Sequence, residues 1–163
     1  MSTLATELTS SLLKSWVSEV NRDLGWEGSV DDEGFCVFGG KDGHALVVQA
    51  DDRVGVIRFS SEVGGPVAED DGRTLASLLT ANFRGLALGL ATFSLHPESR
   101  KVHFELVWSD PDRGGIDRFA TLAERFSQLA ARARQLLSDG TLAELWRQTP
   151  VSESGASDSF IRA

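Results

Sequence analysis

The sequence predicts an α+β domain in the order α-βββ-α-ββ-α, a five-stranded antiparallel sheet packed with three helices. Apolar residues recur at helical spacing in three stretches, and short runs of strand character fall between them. Turns join the strand runs directly, and strands connected by tight turns pair antiparallel.

The first helix is expected over residues 4 to 24, where Leu4, Leu8, Leu12, Leu13, Trp16, Val17, Val20 and Leu24 return at helical intervals. Thr3 is a candidate N-cap and Gly25 a candidate stop. Three strands are expected next: Phe35 to Phe38, His44 to Ala50 and Arg53 to Val63, with turns at residues 39 to 43 and at Asp51-Asp52. Gly64-Gly65-Pro66 is expected to break the third strand.

A second helix is expected over residues 72 to 88, with Asp70 or Asp71 as its cap and Leu75, Leu78, Leu79, Phe83 and Leu86 on one face. Ala91, Phe93 and Leu95 then alternate with polar residues, as do Val102, Phe104, Leu106 and Trp108, and Pro97 to Arg100 turns between them. Such alternation marks a hairpin with one face buried. The last helix is expected over 116 to 138, with Gly140 ending it and Leu142, Leu145 and Trp146 adding a short further turn. One domain, residues 1–148, is expected, followed by a polar, serine-rich, flexible tail at 149–163.

Sixteen Lys and Arg against twenty-four Asp and Glu give a net charge of −8. That argues against nucleic acid and anionic membrane surfaces as partners, which demand a positive footprint. No apolar run reaches the length of a membrane span, and the N-terminus lacks the pattern of a secretory signal, so a cytoplasmic location is expected. The single cysteine, Cys36, sits inside the apolar run Phe35 to Phe38 and reads as a small buried thiol.

Candidate chemistry is sparse. His96 and His103 flank the second hairpin turn, yet a metal site needs three or four converging ligands. The acidic groups Asp31-Asp32-Glu33, Asp51-Asp52 and Glu69-Asp70-Asp71 fall in turns and at a helix start, where carboxylates belong for local reasons. No phosphate loop, dinucleotide fingerprint or nucleophile elbow occurs. No catalytic residue, metal or cofactor is therefore expected, and the chain reads as a binding protein and not an enzyme. The apolar residues say more. Phe35 and Val37 fall on one face of the first strand and Cys36 and Phe38 on the other, and the second strand repeats this with Leu46 and Val48 against Val47. Helices on both faces, a dimer contact or an exposed groove for a partner would each explain apolar residues on both sides.

Leu78-Leu79-Thr80-Ala81-Asn82-Phe83 leads into Gly89-Leu90-Ala91-Thr92-Phe93-Ser94-Leu95, then Lys101-Val102-His103-Phe104-Glu105-Leu106, then a helix opening at Ile116-Asp117. This order resembles the class I chaperones of bacterial type III secretion, the group typified by the Tir chaperone, over roughly residues 3 to 147. The resemblance implies a homodimer without ATPase activity that binds the unfolded N-terminal segment of a secreted effector and keeps it soluble and ready for export. It implies a dimer contact at Leu75, Leu78, Leu79 and Phe83. It implies effector contacts on the first helix, at Leu12 and Trp16, and on the early strands, at Phe35, Val37, Leu46 and Val48. The alternative is a regulatory or immunity-type protein that caps a folded partner.

Overall fold

In the computed structural model, which describes residues 3–39, 44–84 and 91–142, the chain runs α1 (Thr3–Leu24), β1 (Phe35–Gly39), β2 (Ala45–Asp51), β3 (Val56–Pro66), α2 (Gly72–Arg84), β4 (Thr92–Leu95), β5 (Lys101–Trp108) and α3 (Pro111–Ser138). The expected element order stands. The five strands form one antiparallel sheet in the order β1-β2-β3-β5-β4. Only the step from β3 to β4 is not a hairpin, and α2 makes it.

Alternation decides which side chains meet the helices. Cys36 and Phe38 of β1, Leu46, Val48 and Ala50 of β2, Ile57, Phe59 and Val63 of β3, and Val102, Phe104 and Trp108 of β5 are all buried in one core with α1, α2 and α3. An aromatic chain runs through it. Trp16 of α1 stacks on Trp108 at 5.7 Å between ring centroids and lies 5.7 Å from Phe119 of α3. Phe119 then meets Phe59, and Phe126 bridges Phe59 and Phe104. Offset and tilted contacts of this kind suit the quadrupole of each ring.

Three local details differ from the sequence expectation, each for a physical reason. β3 does not break at Gly64 but continues to Pro66, with register shifts at Glu62/Gly64 and Gly64/Pro66. β2 pairs with β3 only as far as Ser60, so the proline's missing N–H falls where β3 has a single partner. The start of β3 is Val56 and not Arg53, because Gly55 (φ 69) closes a turn in which its N–H reaches Asp51 O at 2.9 Å. Finally, α3 begins at Pro111 and is kinked at Gly115 (φ 64, ψ −174), so the expected start at 116 marks the second of two helical pieces. A side chain at Gly114 would meet the Trp108 ring at 2.4 Å, so glycine there lets the helix start pack on the tryptophan. The far end of the expected second helix, residues 85 to 88, and the expected tail at 149–163 lie outside the described residues.

Two asparagines tie helix ends to neighbouring backbone, one in the connection from α1 to β1 and one in β4. Asn21 of α1 donates from Nδ2 to Gly28 O at 2.6 Å and accepts from Gly28 N at 3.1 Å. Asn82 of α2 does the same to Phe93 of β4, at 2.8 and 2.7 Å. A side-chain amide has the donor and acceptor of a peptide group, so Asn82 stands in for one residue of a strand beside β4, and Asn21 pairs in the same way with the backbone of the segment between α1 and β1. At β4 this satisfies backbone groups that would otherwise be open on a sheet edge. At β1 the edge is met by an isolated bridge between Val30 and Cys36. Asp71 caps α2, accepting from Thr74 N at 3.0 Å, and the Thr74 hydroxyl, together with that N–H, holds its carboxyl below the ordinary aspartate range.

Candidate protein-binding surfaces

The outer face of the sheet is the first candidate. Antiparallel register places side chains on it in rows. One row reads Phe35, Gln49, Arg58, Val107, and the next reads Val37, Val47, Ser60, Glu105, Thr92. Among the described residues no helix covers these rows. Val37 is 54 % exposed and Val107 47 %. Phe35, Val37 and Val47 therefore adjoin as an apolar patch on β1 and β2. The aliphatic arm of Arg58 continues it toward Val107, since a long cationic side chain can cover apolar surface while its head stays wet. A shallow cavity of about 410 Å³ lies there, lined by Val47, Gln49, Asp51, Arg53, Arg58, Ser60, Glu105 and Val107. Arg53 and Arg58 both approach Asp51, at 3.6 and 3.5 Å.

The other half of that face is polar and internally paired. Lys101 Nζ lies 2.9 Å from Glu62, Ser94 Oγ donates to Glu105 at 2.8 Å, and His103 Nδ1 is 3.4 Å from Ser60 Oγ. His96 and His103 sit 5.8 Å apart between ring centroids. Among the described residues no group of three or more His, Cys, Asp or Glu could hold a metal ion. Cys36 is buried, and burial pushes its thiol up to about 11.

The second candidate is a groove on the helix side, between α3 and the β1–β2 hairpin. It encloses about 1070 Å³ and is lined by Trp26, Phe38, Ala45 and Leu46 on one side and by Asp117, Ala120, Thr121, Glu124, Ser127, Ala131 and Arg134 on the other. Phe38 packs edge-on against Trp26 at 5.1 Å. Gly28 allows this, because a side chain there would meet the Phe38 ring at 2.4 Å.

The third is α2. Leu78 is buried, Leu75 is half-buried and Leu79 is 70 % exposed. On α3 the half-buried Leu122, Leu129 and Leu136 recur every seven residues, on a side of the helix that the groove does not use.

The residues expected to contact an effector separate into groups. Phe35 and Val37 lie on the outer patch. Val48 is fully buried, and Trp16 and Leu46 are 7 % and 6 % exposed, so these three are core residues first; Leu46 also edges the groove. Leu12 is half-buried against the core. Of the expected dimer residues, Leu75, Leu78 and Leu79 share α2, and the Phe83 side chain lies outside the described residues. Sequence reasoning left out Val107 and Trp26. Val107 carried a signal: it is an apolar residue on the polar phase of β5, where His103 and Glu105 stand. Trp26 carried none, because it lies between elements.

Residues 16–134 match the family model of the Tir chaperone protein (CesT) family. The chain belongs to this family. Among curated proteins no match was found. Solved structures share the fold. The structure described as the HopA1-SchA chaperone-effector complex aligns with a TM-score of 0.60 at 14 % identity, covering 78 % of this chain and 97 % of that one. The ExsC-ExsE complex aligns at 0.58 and 16 %, covering 81 % and 95 %. The Yersinia pestis type III secretion chaperone SycH, in complex with a fragment of YscM2, aligns at 0.55 and 13 %, covering 76 % and 98 %. With family membership, the motif residues gain physical roles: in Leu78-Leu79-Thr80-Ala81-Asn82-Phe83, Leu78 and Ala81 enter the core and Asn82 holds β4.

Proposed function

We propose that this protein is a type III secretion chaperone that works in the cytoplasm as a homodimer, binding the unfolded N-terminal segment of a secreted effector and keeping it soluble and export-competent. Membership of the Tir chaperone family over residues 16–134 carries this reading. The names of two structures of the same fold, a chaperone-effector complex and a chaperone bound to a fragment of another protein, support it. Among the described residues no helix is long and apolar enough to cross a membrane.

The outer patch at Phe35, Val37 and Val47 is the proposed effector contact. An extended segment laid on it would bury alternate apolar side chains and leave the others in solvent, which is how an unfolded segment is recognised without a folded epitope. Burial of apolar area at about 25 cal/mol per Å² supplies the affinity, less the cost of ordering the segment. The α2 surface at Leu75, Leu78, Leu79 and Phe83 is the proposed dimer contact, with Leu79 its most exposed apolar side chain in the described monomer.

Co-purification of the tagged protein from its own bacterium, followed by mass spectrometry and hydrogen exchange on what is captured, tests this. A single secreted partner that is lost when its N-terminal segment is deleted, and whose bound segment is otherwise unfolded, is the expected result. A partner that is folded on its own and bound through its folded surface would replace the reading with that of a capping protein.

A further inference from the structure

We propose that the side of α3 turned away from the groove is a docking seam for an acidic amphipathic helix of another protein, with Arg118, Arg125 and Arg132 meeting its carboxylates and Leu122, Leu129 and Leu136 its apolar side chains. This goes beyond the client-binding reading above and does not rest on it.

The sequence of α3 repeats. From Arg118 to Ser138 it divides into RFATLAE, RFSQLAA and RARQLLS, with an arginine first and a leucine fifth in every heptad. Arg118, Leu122, Arg125, Leu129, Arg132 and Leu136 therefore follow one another at alternating steps of four and three residues. That is the spacing of a helix-packing seam, which averages about 3.5 residues. The core uses a different set. Phe119, Ala123, Phe126, Ala130 and Ala133 are the buried residues of this stretch, and the seam lies about a quarter turn away from them. Packing of α3 on the sheet thus accounts for the buried set and leaves the arginines unexplained.

The arginines carry unspent charge. All three are exposed. None has an acidic residue three or four positions away, where ion pairs within a helix form. Among the described residues none of the three takes part in a salt bridge. The acidic residues of the same stretch, Asp117 and Glu124, line the groove on the other side of the helix. A row of one sign, on a chain whose net charge is −8, is a local signal for a partner of the opposite sign. The leucines beside it are half-buried, so each keeps some apolar surface for a further contact.

The spacing selects the occupant. Successive arginines stand about 10.5 Å apart along the helix axis. A second helix packed at a shallow angle repeats its own side chains at that interval. An extended strand repeats same-face side chains about every 6.8 Å and falls out of step. A second copy of α3 would bring two arginine rows to one seam. The occupant that fits is a helix of a different chain, with Asp or Glu opposite the arginines and apolar residues opposite the leucines. The leucines supply the affinity, and the arginines set register and partner choice.

Fluorescence anisotropy on the full-length protein tests this. The probes are labelled peptides of three heptads with Glu and Leu at alternating steps of four and three, written in both directions to cover parallel and antiparallel docking. Counterparts carry Lys for Glu. Saturable binding of a Glu peptide is expected, weakened by salt and at least tenfold weaker in the Arg125→Glu variant. With R118E, R125E and R132E combined, the preference is expected to turn over, the Lys peptide binding at least tenfold more tightly than the Glu peptide. Circular dichroism shows which variants are folded, and should the triple variant unfold, the single variant decides. No binding of either Glu peptide, binding unchanged by Arg125→Glu, or equal binding of the Lys peptides to the unsubstituted protein overturns the proposal. So does an oligonucleotide that binds more tightly than the Glu peptides. Val37→Asp is expected to leave peptide binding unchanged, so the seam and the client patch fail separately; loss of binding in that variant would place the peptide on the outer sheet and overturn the proposal.

Discussion

On the inner face of the sheet Val48, Ile57, Phe59 and Phe104 are fully buried, while on the outer face of the same strands Val37 and Val107 are about half exposed. The two faces have similar chemistry at β1 and β2 and different partners. Inside, α1 and α3 supply the matching apolar surface, and the aromatic chain from Trp108 to Phe104 fills the space between. Outside, the apolar character runs from β1 and β2 past Arg58 to Val107 near the end of β5, and over the rest of β5 and β4 paired charges and hydroxyls take over. A sheet that only needed solubility would be polar across its whole outer face. The difference teaches that apolar residues on the β1–β2 half are spared from the core and are available to a partner.

Substitutions should separate the faces, beginning with the largest effect. Phe59→Ala opens a cavity between Phe119 and Phe126 and is expected to cost about 3–5 kcal/mol of stability. Chemical denaturation measures it, and a cost below about 1 kcal/mol would break the distinction between inner and outer residues. Asn82→Ala removes both hydrogen bonds to Phe93 and leaves a strand edge unsatisfied, for about 1–3 kcal/mol by the same measurement. Val37→Asp, on the outer face, is expected to change stability by no more than about 0.5 kcal/mol and to weaken client binding at least tenfold by titration calorimetry. Leu79→Glu is likewise expected to leave the fold intact while shifting a dimer to monomer in analytical ultracentrifugation. The smallest effect is at Cys36. With its thiol raised to about 11, little thiolate is present near neutrality, and a thiol reagent at pH 8 is expected to label the native protein far more slowly than the unfolded one.

Much of this was legible in the sequence, and the reasons can be given residue by residue. Helical and strand periods record burial on one side of an element, so α1, α2, β4 and β5 stood out. Their apolar sets, such as Phe93 and Leu95 or Val102 and Phe104, do face the core. The ends of elements were less legible. Pro66 reads as a stop until one knows that β3 has a single partner there, and the helical piece at Pro111 is hidden because Gly114 and Gly115 look like a loop. The surfaces were legible only in part. Apolar residues on both faces of β1 announced that something beyond the core had to be explained. Which face was free depended on where α1 and α3 settle, a long-range choice that local spacing does not encode. The groove was invisible for the same reason, since Trp26, Leu46 and Ala131 come together only in the folded chain.

The central claim is that the outer β1–β2 face holds an unfolded client segment. Hydrogen exchange and mass spectrometry on the complex captured from the native bacterium, with Val37→Asp captured in parallel, measure it most directly. The account predicts a partner whose N-terminal segment is required for capture, and whose yield falls at least tenfold with Val37→Asp while the variant stays folded. Full retention of the partner by the folded variant would contradict it.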